Sequence, residues 1–107
     1  MTRYSYVNTG SRIELEIRGH AGYSSAGYDI VCAGISALTF GLIKELIEQD
    51  QKGNINLFHL EECKEDPHIV IIARDIKNIE LIESLFSLVL RAFEDISIDY
   101  PDYIKRV

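Results

Sequence analysis

Residues 12 to 36 read RIELEIRGHAGYSSAGYDIVCAGIS, and three patterns follow one another within this stretch. The first part alternates strictly between charged residues and isoleucine or leucine, which predicts a strand over 12–19 with one wet face. A loop rich in glycine and serine follows. An apolar run then begins after Asp29, a residue type that caps helices well. The stretch therefore predicts a strand, a loop and a buried helix, in that order.

The segments on either side carry the same kinds of pattern. RYSYVN (3–8) predicts a strand that forms a hairpin with 12–19 through the turn residues NTGS. The helix that follows Asp29 is expected to run over 30–51 and to end before Gly53. Further along, the patterns predict strands over 54–62 and 68–75, a second helix over 78–97 capped by Asn78, and a short edge strand in the tail 98–107.

The predicted order of elements is ββαββα(β). Two hairpins favour a mainly antiparallel sheet, and both helices are expected to pack on one face of it, which is an α/β (α+β) arrangement. The chain has 107 residues and shows no repeat or linker, so a single domain over 1–107 is predicted.

Charge and hydropathy limit the classes of function. The formal charge is −6 and the pI is near 4.9, which argues against direct nucleic-acid binding and suits a basic partner better. No stretch reaches eighteen uninterrupted apolar residues, and the first residues lack the apolar core of a signal peptide. We therefore expect a cytoplasmic protein with no membrane contact.

The start of the first helix offers the chemistry of a nucleophile. With Asp29 as N-cap, Cys32 is the third helical residue, where the positive end of the helix favours the thiolate, the nucleophilic form. Backbone N–H groups of Cys32 and Ala33 could bind an oxyanion that develops on a substrate. The glycine-rich loop could bring His20 back to this point as general base and acid, with Asp29 orienting the imidazole, capping the helix, or doing both.

Other interpretations of the same residues stay open at this point. Cysteine is among the most buried residue types, so Cys32 could be an inert core thiol and the loop a simple connector. A glycine-rich loop before a helix can also bind phosphate, but this loop has neither the G-x-G-x-x-G nor the Walker spacing. On the residues alone, the buried thiol is favoured over the nucleophile.

Two further patterns are assigned no chemistry. His59, Cys63 and His68 are residue types that bind zinc, but they flank a predicted turn and lack a fourth ligand, so we predict neither a metal nor a cofactor. Cys63 is then expected to be a bystander thiol. A stripe of small residues on the first helix predicts close packing in the core, with a dimer contact as the alternative: Gly34, Ala37 and Gly41.

The stretch GHAGYSSAGYDIVCAGISAL (19–38) resembles the signature of the ribosomal-processing cysteine protease family, often called Prp. The family pattern is Gly-His, a short variable loop, Gly-x-Asp-Ile-Val-Cys-Ala, and a serine four residues after the cysteine. Chain length and the order ββαββα agree with the family as well. The matching positions in this chain are Gly19, His20, Gly27, Asp29, Ile30, Val31, Cys32, Ala33 and Ser36.

The resemblance implies a cysteine endopeptidase with Cys32 as nucleophile and His20 as general base and acid. The family has an α/β sandwich fold, forms homodimers, and removes the N-terminal extension of large-subunit ribosomal protein number twenty-seven in bacteria. The loop between histidine and cysteine is expected to move for the substrate. The implied supporting residues are Gly19, Gly27, Asp29, Ala33 and Ser36, and the implied substrate loop contains Ala21, Gly22, Tyr23 and Tyr28.

Two alternatives accompany this interpretation. The hydroxyl of Ser36 either supports the site or donates back to the carbonyl of residue 32 within the helix. The whole protein could instead be a non-catalytic acidic module that binds ribosomal protein or ribosome assembly intermediates. The resemblance favours the protease.

Overall fold

The computed structural model describes residues 1–25, 27–62 and 65–107. The predicted order ββαββα(β) is confirmed, and the predicted helix and strand ends before the tail fall within two residues of the observed ones. The elements are β1 (Thr2–Asn8), β2 (Arg12–Arg18), α1 (Ile30–Gln51), β3 (Asn56–Glu62), β4 (His68–Arg74), α2 (Ile79–Asp99) and β5 (Ile104–Arg106).

The strands form one sheet in the order β3-β4-β2-β1-β5. The two predicted hairpins, β1–β2 and β3–β4, are antiparallel, and they join through an antiparallel pairing of β2 with β4. The tail strand β5 pairs parallel to β1, with Thr2 opposite Ile104. The sheet is therefore mixed, with one parallel pair at the β5 edge.

Strict alternation in β2 separates the two faces of the sheet. Ile13, Leu15 and Ile17 are buried, while Glu14 and Glu16 point to the opposite, open face. Because the buried strand residues cluster with those of both helices, the two helices cover the same face, as predicted. The core includes Tyr4, Ile13, Leu15, Ile17, Val31, Ile35, Leu42, Ile43, Leu46, Ile71, Ala73, Ile82, Phe86, Val89, Phe93 and Ile104.

The first half of α1 is less buried than its composition suggests. Its small residues Ala33, Ser36, Ala37 and Gly41 are exposed, although an apolar pattern on nearly all sides is typical of a fully buried helix. Gly34 faces α2, where an added Cβ would lie 3.7 Å from Cδ1 of Ile96. The small residues thus create open space beside α1 as well as close packing.

By length and composition alone, α1 would also suit a membrane span. An 18-residue window of this helix reaches a mean hydropathy of 1.8, and 33% of that window is buried in the fold. Core helices of soluble proteins have the same composition. Here α1 contacts α2 and β3 and contributes Val31, Ile35, Leu42 and Leu46 to the core.

Candidate active site

Asp29 fixes the start of α1. Its backbone is extended (φ −83°, ψ 99°), and its Oδ1 accepts a hydrogen bond of 2.9 Å from the backbone N–H of Cys32. This is the N-cap geometry that the residue type predicts, in which a carboxylate accepts from the third helical N–H. Cys32 therefore lies in the first helical turn, close to the positive end of the helix dipole.

The second carboxylate oxygen of Asp29 binds the loop. Oδ2 accepts from the backbone N–H groups of Tyr23 at 3.0 Å and Ser24 at 3.4 Å. Burial by itself raises the pKa of Asp29, but the hydrogen bonds from Cys32, Ser24 and Tyr23 favour the anion and lower this pKa below its ordinary value. One carboxylate thus joins the loop to the helix.

The sulfur of Cys32 accepts a hydrogen bond from the loop. The backbone N–H of Ala21 lies 3.3 Å from Sγ, and Ala21 itself is only 1% exposed. Cys32 packs against the core but is partly exposed, so it is not the fully buried thiol that the residues alone favoured. The sulfur therefore lies at the start of α1 with a backbone donor on it.

Gly19 holds the chain in place immediately before His20. Its N–H donates to the carbonyl of Pro67 at 2.9 Å, and its carbonyl accepts from the Thr2 hydroxyl at 3.0 Å. The φ of Gly19 is +86°, and an added Cβ would lie 2.8 Å from the carbonyl oxygen of Met1, so only glycine fits. The exposed His20 therefore starts from a fixed backbone at the end of β2.

His20, Cys32 and Ser36 line two cavities that meet at this point. One, which we call the apolar pocket, has a volume of about 220 Å³ and extends between α1 and the sheet. The other, which we call the loop pocket, has a volume of about 500 Å³ and runs under the glycine-rich loop. The apolar pocket is also lined by Thr2, Ile17, Gly19, Ile35, Phe40, Pro67 and Ile69, and the loop pocket by Gly22, Ser24, Gly27, Asp29 and Ala33.

His20 and Cys32 share this cleft without a hydrogen bond between them. The sulfur of Cys32 accepts its hydrogen bond from the N–H of Ala21. Within residues 1–25, 27–62 and 65–107, no hydrogen bond joins the His20 imidazole to this sulfur. In free enzymes, catalytic hydrogen bonds are often long or poorly aligned and tighten only when substrate binds. The lack of a hydrogen bond between His20 and Cys32 therefore does not argue against a catalytic pair.

The expectation that the N–H groups of Cys32 and Ala33 are free to bind an oxyanion is wrong for this conformation. The N–H of Cys32 donates to the Asp29 carboxylate, and that of Ala33 donates to the Asp29 carbonyl at 3.0 Å. The N–H that points at the sulfur of Cys32 is instead that of Ala21. Ala33 lines the loop pocket with its side chain and is exposed.

Ser36 lines both pockets, and Gly27 lines the loop pocket. Within the described part of the chain, the Ser36 hydroxyl makes no back-bond to the carbonyl of Cys32, whereas Thr39 one turn later donates to Ile35 at 2.7 Å. The Ser36 hydroxyl is thus available at the junction of the two pockets. Gly27 has a φ of +87°, the left-handed conformation that favours glycine.

The substrate-loop residues separate into two groups. Gly22 lines the loop pocket, and Ala21 is buried behind the sulfur. Neither Tyr23 nor Tyr28 lines either pocket in this conformation. Tyr23 packs against Tyr100 and Tyr103, while Tyr28 is 78% exposed.

Sequence reasoning missed the residues that shape the apolar pocket: Thr2, Ile17, Ile35, Phe40, Pro67 and Ile69. They come from β1, β2, β4, the turn before β4 and α1, and the strand order β4-β2-β1 brings them together. Ile17 lies directly opposite Ile69, and alternation predicted that Ile17 faces the core but not which strand lies beside it. No local signal identifies such a set.

Of the three residues with zinc-like spacing, the structure describes His59 and His68. Cys63 lies outside the described residues, so the expectation that it is a bystander thiol stays a prediction. Within the ranges that the structure describes, no group of three or more His, Cys, Asp or Glu side chains is close enough to hold a metal ion. His59 and His68 lie in different register positions, opposite Ile71 and Glu62 respectively.

Solved structures share this fold. The essential ribosomal processing protease Prp from S. aureus, in complex with a covalently linked product peptide, superposes with a TM-score of 0.82 at 24% identity, covering 99% of this chain and 97% of that one. The protein SMU.848 from Streptococcus mutans gives a TM-score of 0.77 at 22% identity, covering 99% and 91% of the two chains. At these identities the similarity establishes the fold.

Sequence comparisons identify the family. The ribosomal processing cysteine protease Prp of Bacillus subtilis (strain 168) is 40% identical over 35 residues, a segment that spans 33% of this chain and 31% of that relative. The family model described as Cysteine protease Prp matches residues 1–105. With Cys32 in the first turn of α1, in a cleft shared with His20, this chain belongs to the Prp family of cysteine proteases.

Proposed function

We propose that the protein is a cysteine endopeptidase in which Cys32 is the nucleophile and His20 the general base and acid. The observation that carries this proposal is the position of Cys32: a partly exposed thiol at a helix start, with a backbone N–H on its sulfur, in a cleft that His20 also lines. Membership of a cysteine protease family supports the same assignment.

The reaction follows from these two side chains. His20 takes the thiol proton, and the Cys32 thiolate attacks the carbonyl carbon of the scissile peptide bond. The tetrahedral intermediate collapses as His20 returns the proton to the leaving amine, which leaves an acyl group on sulfur. A water molecule then gives a proton to His20 and attacks the thioester. The carboxyl product leaves as the Cys32 thiolate is released, and His20 returns its proton to the sulfur, which restores the thiol.

For the substrate, we propose the N-terminal extension of large-subunit ribosomal protein number twenty-seven. The similar protease Prp from S. aureus has been solved with a substrate peptide and with a covalently linked product peptide, which supports a peptide substrate. The apolar pocket beside Cys32 supports an apolar side chain next to the scissile bond. The formal charge of −6 suits a basic ribosomal precursor.

Cleavage of a precursor peptide tests the nucleophile. The peptide spans the junction between extension and mature protein, and mass spectrometry identifies the products. We expect cleavage by the native chain and by Cys63→Ala, the matched control for loss of a thiol, but not by Cys32→Ala. Cleavage that survives in Cys32→Ala would disprove the assignment. Tight binding without cleavage by the native chain would favour the non-catalytic acidic module instead.

A second pair of variants tests His20. Because general acid–base catalysis contributes about 10²–10⁴-fold, His20→Ala is expected to lower kcat by a factor in that range. The matched control is His59→Ala, which removes an exposed imidazole on β3 outside the cleft. Equal losses in both variants would argue against a Cys–His pair.

We also propose that the protein acts as a homodimer in the cytoplasm, where the ribosomal precursor is made. Exposed apolar side chains on the open face of the sheet, those of Val7, Phe58 and Leu60, support a surface that a second copy covers. Sedimentation equilibrium measures the mass directly. A mass of one chain at micromolar concentration would contradict the dimer and leave the catalytic assignment unaffected.

A further inference from the structure

The ring of Tyr23 contacts two other tyrosines. Its centroid lies 5.3 Å from that of Tyr100 at an interplanar angle of 88°, and 5.2 Å from that of Tyr103 at 78°. Both are edge-to-face arrangements, which aromatic pairs prefer because of the charge distribution of their rings. We call Tyr23, Tyr100 and Tyr103 the tyrosine cluster.

The two partner tyrosines belong to a well-anchored turn between α2 and β5. The N–H of Tyr100 donates to the carbonyl of Ile96 at 2.9 Å, and the N–H of Tyr103 donates to the carbonyl of Tyr100 at 3.0 Å. The carbonyl of Tyr103 accepts from the N–H of Thr2 at 2.9 Å. Both rings are partly buried and pack against the core. The turn is thus a fixed base for the ring of Tyr23.

The backbone of Tyr23 belongs to the loop that lies beside the sulfur of Cys32. Its N–H binds Oδ2 of Asp29 at 3.0 Å, and two residues earlier the N–H of Ala21 binds Sγ of Cys32 at 3.3 Å. Between them lies Gly22 with a φ of +76°. A backbone that contains glycine has wide conformational freedom, so a contact with a fixed part of the protein restricts it strongly.

We propose that Tyr23 is a positioning residue: its ring, between Tyr100 and Tyr103, holds the glycine-rich loop against the start of α1 and keeps the N–H of Ala21 on the sulfur of Cys32. Tyr23 does not line either pocket, so it acts through the loop and not by touching substrate. The consequence for catalysis rests on the proposed protease function. The position of the loop does not.

Access to the Cys32 thiol measures loop position without any assay of proteolysis. In a Cys63→Ser background with one thiol, a thiol reagent is applied at a pH where the thiol is ionised, so that its rate reports access. We expect reaction about tenfold faster in Tyr23→Ala, because two aromatic contacts are lost. Tyr23→Phe keeps the rings and should react at the native rate. Tyr28→Ala, the matched tyrosine of the same loop, should also react at the native rate.

A second variant and a folding control keep the result decisive. Tyr100→Leu removes one of the two contacts from the other side and should accelerate the thiol reaction, though less than Tyr23→Ala does, while circular dichroism shows each variant folded. Equal rates in Tyr23→Ala and Tyr28→Ala, or a native rate in both Tyr23→Ala and Tyr100→Leu, would overturn the proposal.

Peptide cleavage then separates a positioning role from a merely structural one. We expect Tyr23→Ala to lower kcat with a smaller change in KM, and Tyr23→Phe to restore it. If the native chain cleaves no peptide while the thiol becomes accessible in Tyr23→Ala, the proposed function fails and the positioning role stands. If cleavage is normal in Tyr23→Ala, the consequence of loop position for catalysis fails and the protease stands.

Discussion

At the scale of single residues, the carboxylate of Asp29 has two tasks that use different oxygens. Oδ1 caps α1 through Cys32, and Oδ2 binds the loop through Tyr23 and Ser24. Asparagine is an equally good N-cap but has only one carbonyl oxygen. Asp29→Asn therefore separates the two tasks, which most capping substitutions cannot do.

We expect Asp29→Asn to destabilise the fold by about 1 kcal/mol, since one set of N–H donors loses its acceptor. Urea unfolding at neutral pH measures the change. Asp102→Asn, at an exposed position after α2, is the matched control and should leave stability unchanged. Stability equal to the native value in Asp29→Asn would show that the second oxygen contributes nothing.

The lowered pKa of Asp29 adds a pH dependence of known sign. Since the folded carboxyl stays ionised to lower pH than the unfolded one, its stabilisation is present above the ordinary pKa of 3.8 and is lost as the pH falls through the lower, folded pKa. The stability difference between the native chain and Asp29→Asn should therefore shrink below about pH 4. Unfolding free energies measured between about pH 6 and pH 2.5 test this, and a constant difference would contradict it.

Sequence patterns predicted the placement of Cys32 but not its surroundings. The cap type of Asp29 and the apolar run after it are local signals, and they located the first helical turn correctly. Local patterns did not show that the N–H groups of Cys32 and Ala33 donate to Asp29, or that the N–H of Ala21 donates to the sulfur. These hydrogen bonds depend on how the loop folds back onto the helix. Those contacts are set by the fold of the loop and by packing against a distant turn, which no local pattern encodes.

At the scale of elements, α1 combines close packing at Gly34 with open space at Gly41. The groove beside Gly41 has a volume of about 240 Å³ and is lined by residues of both helices, among them Ala37, Leu85 and Leu88. The stripe of small residues predicted close packing throughout; this holds at Gly34, whereas Ala37 and Gly41 line an open groove between the two helices. Helical periodicity gives the face of each residue, but the separation of two helices depends on side chains from both.

Gly41→Ala should stabilise the protein. An added Cβ meets nothing within 4 Å, and alanine is favoured over glycine in a helix interior by about 1 kcal/mol. The melting temperature should rise by a few degrees. The control is Gly19→Ala, where the left-handed φ and the carbonyl of Met1 leave no room, so stability should fall. A lower melting temperature in Gly41→Ala would mean that the groove closes or is occupied in solution.

At the scale of the whole molecule, the sheet order decides where the site lies. The sequence predicted two hairpins but not that they join through pairing of β2 with β4. Periodicity shows which face of the sheet each residue is on, but not which strand lies beside it. That union brings Ile17, Ile69 and Phe40 to one pocket. The specificity that we attribute to this pocket is thus a property of the assembled sheet.

The acidic charge of the whole molecule predicts a salt dependence of substrate capture. If a basic precursor is attracted by a net charge of −6, KM should rise as salt is added, because the screening length falls to about 10 Å at 0.1 M. A peptide with the same cleavage junction but no net charge is the control and should show a flat KM. An equal rise for both peptides would assign the effect to the site and not to charge.

The parallel pairing of β5 with β1 has a consequence for the order of folding. Thr2 and Ile104 are separated by nearly the whole described chain, so their contact closes a very long loop and should form late. The turn with Tyr100 and Tyr103 immediately precedes β5, and its carbonyl contact to Thr2 depends on the same event. During refolding, the part of the hydrophobic core outside β5 should therefore form before the loop reaches its place beside Cys32. The recovery of peptide cleavage would then lag behind the recovery of secondary structure.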